Sequence, residues 1–277
     1  MPGGTFPYPW PGSFPVNPMT SVPLFAIIGG TGLSRLEGLG TTQTQSVETP
    51  FQAAAVTLTS ISNEFGNFLF LPRHGEQHRL APHQINYRAN VWALHSAGVK
   101  EIIAVNAVGG IHGRLGPGSI AIPEQLIDYS FGREATFYTQ DPARQMHVDF
   151  TQPYSHQTRQ MLLHAVAAVN EAAEEPRSIL NHGVYACTQG PRLETAAEVH
   201  RLKNAGCDMV GMTGMPEAVL ARELDIHYAC LALSVNWAAG LGVDPLTMEF
   251  MESVTHEGMA FIQQVLWHCM QARAQNS

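Results

Sequence analysis

Short, nearly unbroken apolar runs alternate along this chain with stretches in which apolar residues recur every three or four positions. The first kind reads as a strand buried on both faces, the second as an amphipathic helix. "PLFAIIGGTGL" predicts a buried strand over Leu24–Ile28, broken by a glycine turn. Residues 44–71 alternate, with Asn63, Gly66 and Asn67 as punctuation, and predict antiparallel hairpins. "INYRANVWALHSAG" sets Ile85, Val91 and Leu94 at helical spacing, with Gly98 as the stop. "EIIAVNAVGG" is a second buried strand, and "GSIAIPEQLIDY" gives two short strands around Pro123. A helix is expected from Ser155 to Glu171, on Met161, Leu162, Ala165, Val166 and Val169. Residues 182–212 read as strand, loop, helix, strand, with Glu194 and Thr195 at the helix entrance. A short helix over Glu217–Glu223, the apolar run "YACLALSVNWAAG" and a long helix over Thr247–Arg273 complete the pattern. Strands alternating with helices predict a three-layer α/β fold, a single domain over residues 24–277.

Composition narrows the function. The 277 residues are 45% hydrophobic and 14% charged, with a net charge of −8. That balance provides no basic face for nucleic acid, so an anionic ligand requires a local arrangement. Cys187, Cys207, Cys230 and Cys269 form no C-x-x-C pair and read as buried thiols of a reducing, cytoplasmic compartment. Thirteen histidines show no H-E-x-x-H or similar pattern, so no metal is expected. No apolar stretch is long enough for a membrane helix. Residues 1–23, with seven prolines and no charged side chain, read as a disordered or polyproline-like tail; Met19 is a candidate start of a shorter native chain.

In open α/β sheets ligands bind beyond the carboxyl ends of the strands, and here those ends carry unusual residues. "GGTG", ending the first strand, lets backbone N–H groups approach an anion and adds the Thr31 hydroxyl, although alone it is equally a tight turn. "LPRHGEQHR" offers the planar fork of Arg73 and a donor from His74, directly after a strand. "VNAVGG" places small residues where a strand ends. "CTQGPRLET" carries Glu194, which a helix start would ordinarily use as a cap. "GMTGMPE" carries Met212, Thr213 and Glu217. Finally, Asn236 ends an apolar strand, where its donor and acceptor must pair with something.

In this order, "IIGGTGL", "RHGEQH", "NAVGG", "GPRLET" and "VGMTGMPEAVLARE" resemble the trimeric purine nucleoside phosphorylases and their methylthioadenosine phosphorylase branch. The resemblance implies a twisted mixed central sheet flanked by helices, a homotrimer, and no cofactor beyond inorganic phosphate as co-substrate. It implies phosphorolysis of the N-glycosidic bond of a purine nucleoside. Positive charge then grows on the ribosyl ring and negative charge on the departing base, each met by a preorganised group. Position by position, it puts phosphate on Thr31, Arg73, His74, Asn106, the backbone of Ala107 and Thr213. Base contacts fall on Glu194, Asn236, Gly109, Leu193 and Val210, with Asn236, His74 and Glu194 as the catalytic set. Met212 lies under the ribose, His78 and His147 near its 5′ side, His147 reaching in from a neighbouring subunit.

Within the family, Asn236 paired with Glu194 is the 6-oxopurine pattern; the 6-aminopurine branch has Asp in the loop and a small hydroxyl residue for that Glu. The front half, "RHGEQHRLAPHQINYRANVWAL", instead resembles the methylthioadenosine branch, whose 5′ pocket is apolar. Met248, Met251 and Val254 on the closing helix are candidates for that pocket. The combination resembles the bacterial methylthioinosine branch and implies release of hypoxanthine and 5-methylthioribose 1-phosphate. Leu193 stands where the methylthioadenosine branch has a stacking aromatic and Ala238 where it has a second acid; both count against adenine. The alternatives are a general inosine and guanosine phosphorylase, a methylthioadenosine phosphorylase, a hydrolytic nucleosidase and a catalytically silent purine-binding assembly protein.

Overall fold

In the computed structural model, which describes residues 24–33, 36, 38–75, 77, 79–138, 147–243 and 246–275, the apolar runs form the middle of a mixed 11-stranded sheet. The expected tail, residues 1–23, lies outside the described residues. In chain order the elements are β1 (Leu24–Gly29), β2 (Thr41–Thr49), β3 (Gln52–Asn63), β4 (Gly66–Pro72), α1 (Tyr87–Ser96), β5 (Val99–Gly110), β6 (Ile120–Ala121) and β7 (Gln125–Asp128). They continue with α2 (His156–Ala172), β8 (Ile179–Leu180), β9 (Val184–Cys187), α3 (Ala196–Asn204), β10 (Met209–Gly211), α4 (Gly214–Glu223), β11 (His227–Trp237) and α5 (Met248–Gln275).

The paired hairpins β2–β3 and β3–β4 are antiparallel, as the alternation predicts. What alternation could not show is that β4 then runs parallel to β1, with Ile28 beside Leu71 and Gly29 beside Pro72. Helix α1 starts after Asn86 rather than at Ile85, because the Asn86 side chain accepts from the Ala89 N–H and caps the helix.

Side chains of the central strands divide between two faces. Along β5, Ile102, Ala104 and Val108 point to the layer holding α1 and α4, whereas Ile103 and Val105 point to the layer holding α2 and α5. Strand β11 divides likewise, with Cys230 and Ala232 on one side and Leu231 and Leu233 on the other. Burial on both faces explains why these strands read as continuous apolar runs. Each buried aliphatic side chain contributes roughly 1.5–3 kcal/mol of transfer free energy. A smaller cluster of Ile111, Ala186, Val199, Leu202, Val210 and Ala238 seats α3. The far end of α5 is fastened by an ion pair from Arg273 to Glu101, which also accepts from the Thr158 hydroxyl at 2.6 Å.

One irregularity of the sheet prepares the site. One edge of β5 pairs with β1 through Ala104, then with antiparallel β10 at Gly109 and Gly110. Residues 105–108 lie between the two pairings, opening that edge at the carboxyl ends of β1 and β4. The opposite edge pairs with β11 past this stretch, from His227 to Trp237.

Candidate active site

The parallel pairing of β1 with β4 brings the turn after Gly29 and the turn after Pro72 side by side, and the Arg73 N–H donates to the Gly29 carbonyl at 2.9 Å. Gly30 is required there by close approach. A Cβ on it would meet the Val105 carbonyl oxygen at 2.6 Å and Arg73 Nη1 at 2.9 Å. Arg73, 1% exposed, therefore enters the opening on β5.

Its guanidinium is largely consumed by the fold. Nε and Nη2 donate to the two oxygens of Glu217 at 2.7 and 2.8 Å, and Nη1 donates to the Val105 carbonyl at 3.1 Å. Nη2 also reaches Asn106 Oδ1 at 3.5 Å. Glu217 is held in turn by the Tyr228 hydroxyl, which donates at 2.9 Å. Burial opposes the charge on Arg73, but the charge and hydrogen bonds of Glu217 outweigh it and hold Arg73 above its ordinary value. Burial, reinforced by Glu217, pushes Tyr228 well up, so it remains a neutral donor. The planar fork expected to face an anion thus faces a carboxylate, leaving one Nη1 hydrogen for other partners.

From Arg73 the network passes through Asn106, whose Nδ2 donates to Thr213 Oγ1 at 2.7 Å. His74 donates from Nδ1 to the Leu80 carbonyl at 2.8 Å; the proton is assigned to Nδ1 because a carbonyl can only accept.

These residues border a cavity of about 450 Å³, large enough for a nucleoside with an anion beside it. Thr31, Arg73, His74, Ala107 and Thr213 are on its wall, and Asn106 links Arg73 to Thr213 behind it. Gly109, Leu193, Glu194, Val210 and Asn236 are on the wall as well, with Val210 and Asn236 packed close to Gly109. Glu194 is not the helix cap. Thr195 accepts from the Glu198 N–H at 3.1 Å while Glu198 accepts from the Thr195 N–H at 2.7 Å, a complete capping box one residue later. The Glu194 carboxylate instead accepts from the Thr188 hydroxyl at 2.6 Å and borders the cavity.

Asn236 follows a register shift between β11 and β5, which aligns it with Gly109. Its Nδ2 donates to the Trp237 carbonyl at 2.6 Å, which orients the amide and leaves Oδ1 and a second N–H.

Met212 lines the cavity against Gly190, whose φ of 60° suits glycine; a Cβ there would stand 2.5 Å from Met212 Sδ. The lip is the start of α5, with Met248, Met251, Glu252 and Thr255 on the wall. Val254 does not line it. Thr255 spends its hydroxyl on the Met251 carbonyl at 2.6 Å.

His147 is exposed and outside the wall of the cavity in its own chain, and His78 lies outside the described residues. Among the described residues no cluster of three or more His, Cys, Asp or Glu side chains could hold a metal ion, and no helix is long and apolar enough to cross a membrane.

Sequence alone assigns no role to three contributors, although Glu217 stands in "GMTGMPE". Glu217 and Tyr228 orient Arg73; their only signal was a carboxylate inside an apolar helix and a tyrosine at the start of an apolar strand. Arg133 is the third. It donates from Nη1 to the carbonyls of Met212 at 2.8 Å and Met215 at 2.6 Å, and from Nη2 to that of Gln189 at 2.8 Å. It thereby ties together the two segments that carry Met212 and Glu194.

A family model described as phosphorylase superfamily matches residues 24–271. The chain is 49% identical over 249 residues to a probable S-methyl-5′-thioinosine phosphorylase of Pseudomonas syringae pv. tomato, covering 90% of this chain and 99% of the relative. It is 40% identical over 231 residues to the 6-oxopurine nucleoside phosphorylase of Pyrococcus furiosus, covering 82% and 84%. Among solved structures, the methylthioadenosine phosphorylase of Schistosoma mansoni in complex with adenine superposes with a TM-score of 0.82 at 29% identity, over 90% of this chain and 91% of that one.

Proposed function

The chain belongs to the phosphorylase superfamily, and from that premise we propose that it catalyses phosphorolysis of S-methyl-5′-thioinosine. The products are hypoxanthine and 5-methylthioribose 1-phosphate, which places the reaction in purine salvage and methylthio-nucleoside recycling. The C1′–N9 bond breaks with its electron pair going to the purine, and a phosphate oxygen forms the new bond to C1′. No protein nucleophile, metal or organic cofactor takes part in this scheme.

The observation that carries the base assignment is the fixed pair of Glu194 and Asn236. With one Glu194 oxygen accepting from Thr188, the carboxylate presents acceptors to the cavity. The N1–H of a 6-oxopurine is the matching donor, whereas N1 of adenine carries a lone pair. Asn236, oriented on the Trp237 carbonyl, retains one N–H for O6 or N7. Donation there stabilises the negative charge of the departing base. Support for a methylthio group comes from Met248 and Met251 on the wall and from Thr255, whose hydroxyl is turned into its own helix.

Phosphate is assigned to Thr31, Arg73, His74, Ala107 and Thr213 on the wall. The assembly is a homotrimer in which His147 completes the sugar site of the neighbouring copy; its exposure, away from its own cavity, agrees with that role. Four free, buried thiols suit a cytoplasmic protein. A second reading, inosine and guanosine phosphorylase, is favoured by Glu252, a carboxylate on the lip that could accept from a 5′-hydroxyl.

The test is phosphate-dependent base release from methylthioinosine, methylthioadenosine, inosine and adenosine in parallel. Methylthioinosine should lead by kcat/KM. A lead by methylthioadenosine would refute the Glu194 and Asn236 assignment, and a lead by inosine would refute the apolar lip.

A further inference from the structure

The charge balance of the cavity does not close on the residues assigned so far. A phosphate dianion entering a protein of net charge −8 needs local cations. The buried cation at its expected site, Arg73, is neutralised by two hydrogen bonds to Glu217 at 2.7 and 2.8 Å. Its Nη1 is also tied to the Val105 carbonyl at 3.1 Å. Glu194 and Glu252 add two further carboxylates to the wall. His74 is committed through Nδ1 to Leu80. Arg73 is therefore built to hold the strand ends, Asn106 and Glu217 in place more than to supply net charge.

A second arginine borders the same cavity. Arg79 is exposed, lines the wall, and among the described residues makes no hydrogen bond or ion pair. The backbone that follows it is held. The next residue, Leu80, donates its N–H to the His74 carbonyl at 3.1 Å and accepts from His74 Nδ1 at 2.8 Å. This double clamp holds Leu80 against His74, and Arg79, next to Leu80 in the chain, borders the same cavity as His74 with all five guanidinium hydrogens uncommitted.

We propose that Arg79 is a phosphate ligand of this cavity, supplying through its uncommitted fork the net positive charge that Glu217 removes from Arg73. A bidentate guanidinium on two phosphate oxygens is the geometry such a fork serves best, and a lysine would retain the charge without the fork. The inference rests on the phosphorolytic reading and deepens it.

The experiment is steady-state kinetics of Arg79→Gln and Arg79→Lys with methylthioinosine, varying inorganic phosphate and nucleoside separately. Thermal unfolding without and with inorganic phosphate accompanies it. Arg79→Gln should raise the KM for phosphate about tenfold or more, the loss expected of a charge-assisted hydrogen-bonded contact. The KM for nucleoside should stay within about twofold, and Arg79→Lys should recover part of the loss. Tm without phosphate should equal that of the parent protein, because the exposed side chain makes no hydrogen bond or ion pair among the described residues, while the stabilisation by phosphate should shrink. An unchanged KM for phosphate in Arg79→Gln, beside a phosphate-dependent parent enzyme, would overturn the inference alone. So would a rise confined to the nucleoside KM, which would put Arg79 on the sugar. Turnover by the parent enzyme without phosphate would overturn the phosphorolytic reading, and the inference with it.

Discussion

Replacing Glu217 by glutamine separates the scaffold role of the Arg73 pair from any direct part in chemistry. The side chains of Arg73 and Glu217 are 0% and 1% exposed, so the substitution leaves a guanidinium in the interior without its counter-charge. Removing one partner of a buried pair costs about 3–5 kcal/mol, and glutamine, which keeps an acceptor, belongs at the lower figure of about 3. For a domain of this size each kcal/mol moves Tm by about 2–4 °C, so the expected fall is about 6–12 °C. Tyr228→Phe is the graded comparison. It removes one donor from a carboxylate that still has Arg73, a cost of about 1–2 kcal/mol. The assay is thermal unfolding of the three proteins at a series of inorganic phosphate concentrations. Because Arg73 in Glu217→Gln regains net charge, added phosphate should raise its Tm by more than it raises the parent's. A Glu217→Gln protein with parental Tm, or one less responsive to phosphate than its parent, would refute the account of Arg73 as a neutralised cation.

Three other outcomes are expected. Asn236→Asp should depress kcat/KM for 6-oxopurine nucleosides by about tenfold or more while depressing 6-aminopurine nucleosides less, since a carboxylate cannot donate to O6; equal losses would contradict the base-reading role. Arg133→Lys retains the charge but cannot reach the carbonyls of Met212, Met215 and Gln189 together, so unfolding measurements should show a loss of about 2–3 kcal/mol and kinetics a higher KM for nucleoside. Burial pushes Cys187, Cys230 and Cys269 up to about 12. Their neutrality in the fold gives stability that is complete below the unfolded thiol value of about 8.5 and falls from there as pH rises toward 12, which denaturant titrations between pH 8 and 11 would read; native thiols should resist alkylation at pH 8.

The sequence disclosed most of what is local. Parallel strands buried on both faces leave apolar runs, so β1, β5 and β11 were visible as such, and the spacing of Leu162, Val166 and Val169 was enough for α2. Pairings between distant strands leave no such trace. The parallel docking of β4 on β1, which aligns Arg73 with Gly30, depends on contacts that no window of sequence contains. The partnership of Arg73 with Glu217, 144 residues apart, was hidden for the same reason. Glu194 is the instructive case: its position before α3 suggested a cap, yet T-A-A-E at Thr195–Glu198 already spelled the capping box that frees it. The orientation of Asn236 was also beyond the sequence, since it follows from a register shift in β11.

Helix α5 spans 28 residues, about 42 Å at 1.5 Å per residue. Its final turns are riveted to the amino end of β5 by Arg273 and Glu101, and its first turns bring Met248, Met251 and Glu252 to the cavity. Between those ends the helix is packed on the core through Phe261, Ile262, Val265 and Leu266, so the part of the wall it supplies is carried on an element held along its whole length. On the phosphorolytic reading proposed above, that wall faces the sugar tail, and substitutions in the first turn of α5 would change which tails are admitted while leaving Arg73, Asn106 and Thr213 in place. Such a division gives one scaffold a route to new substrates through a handful of changes in a single turn of helix.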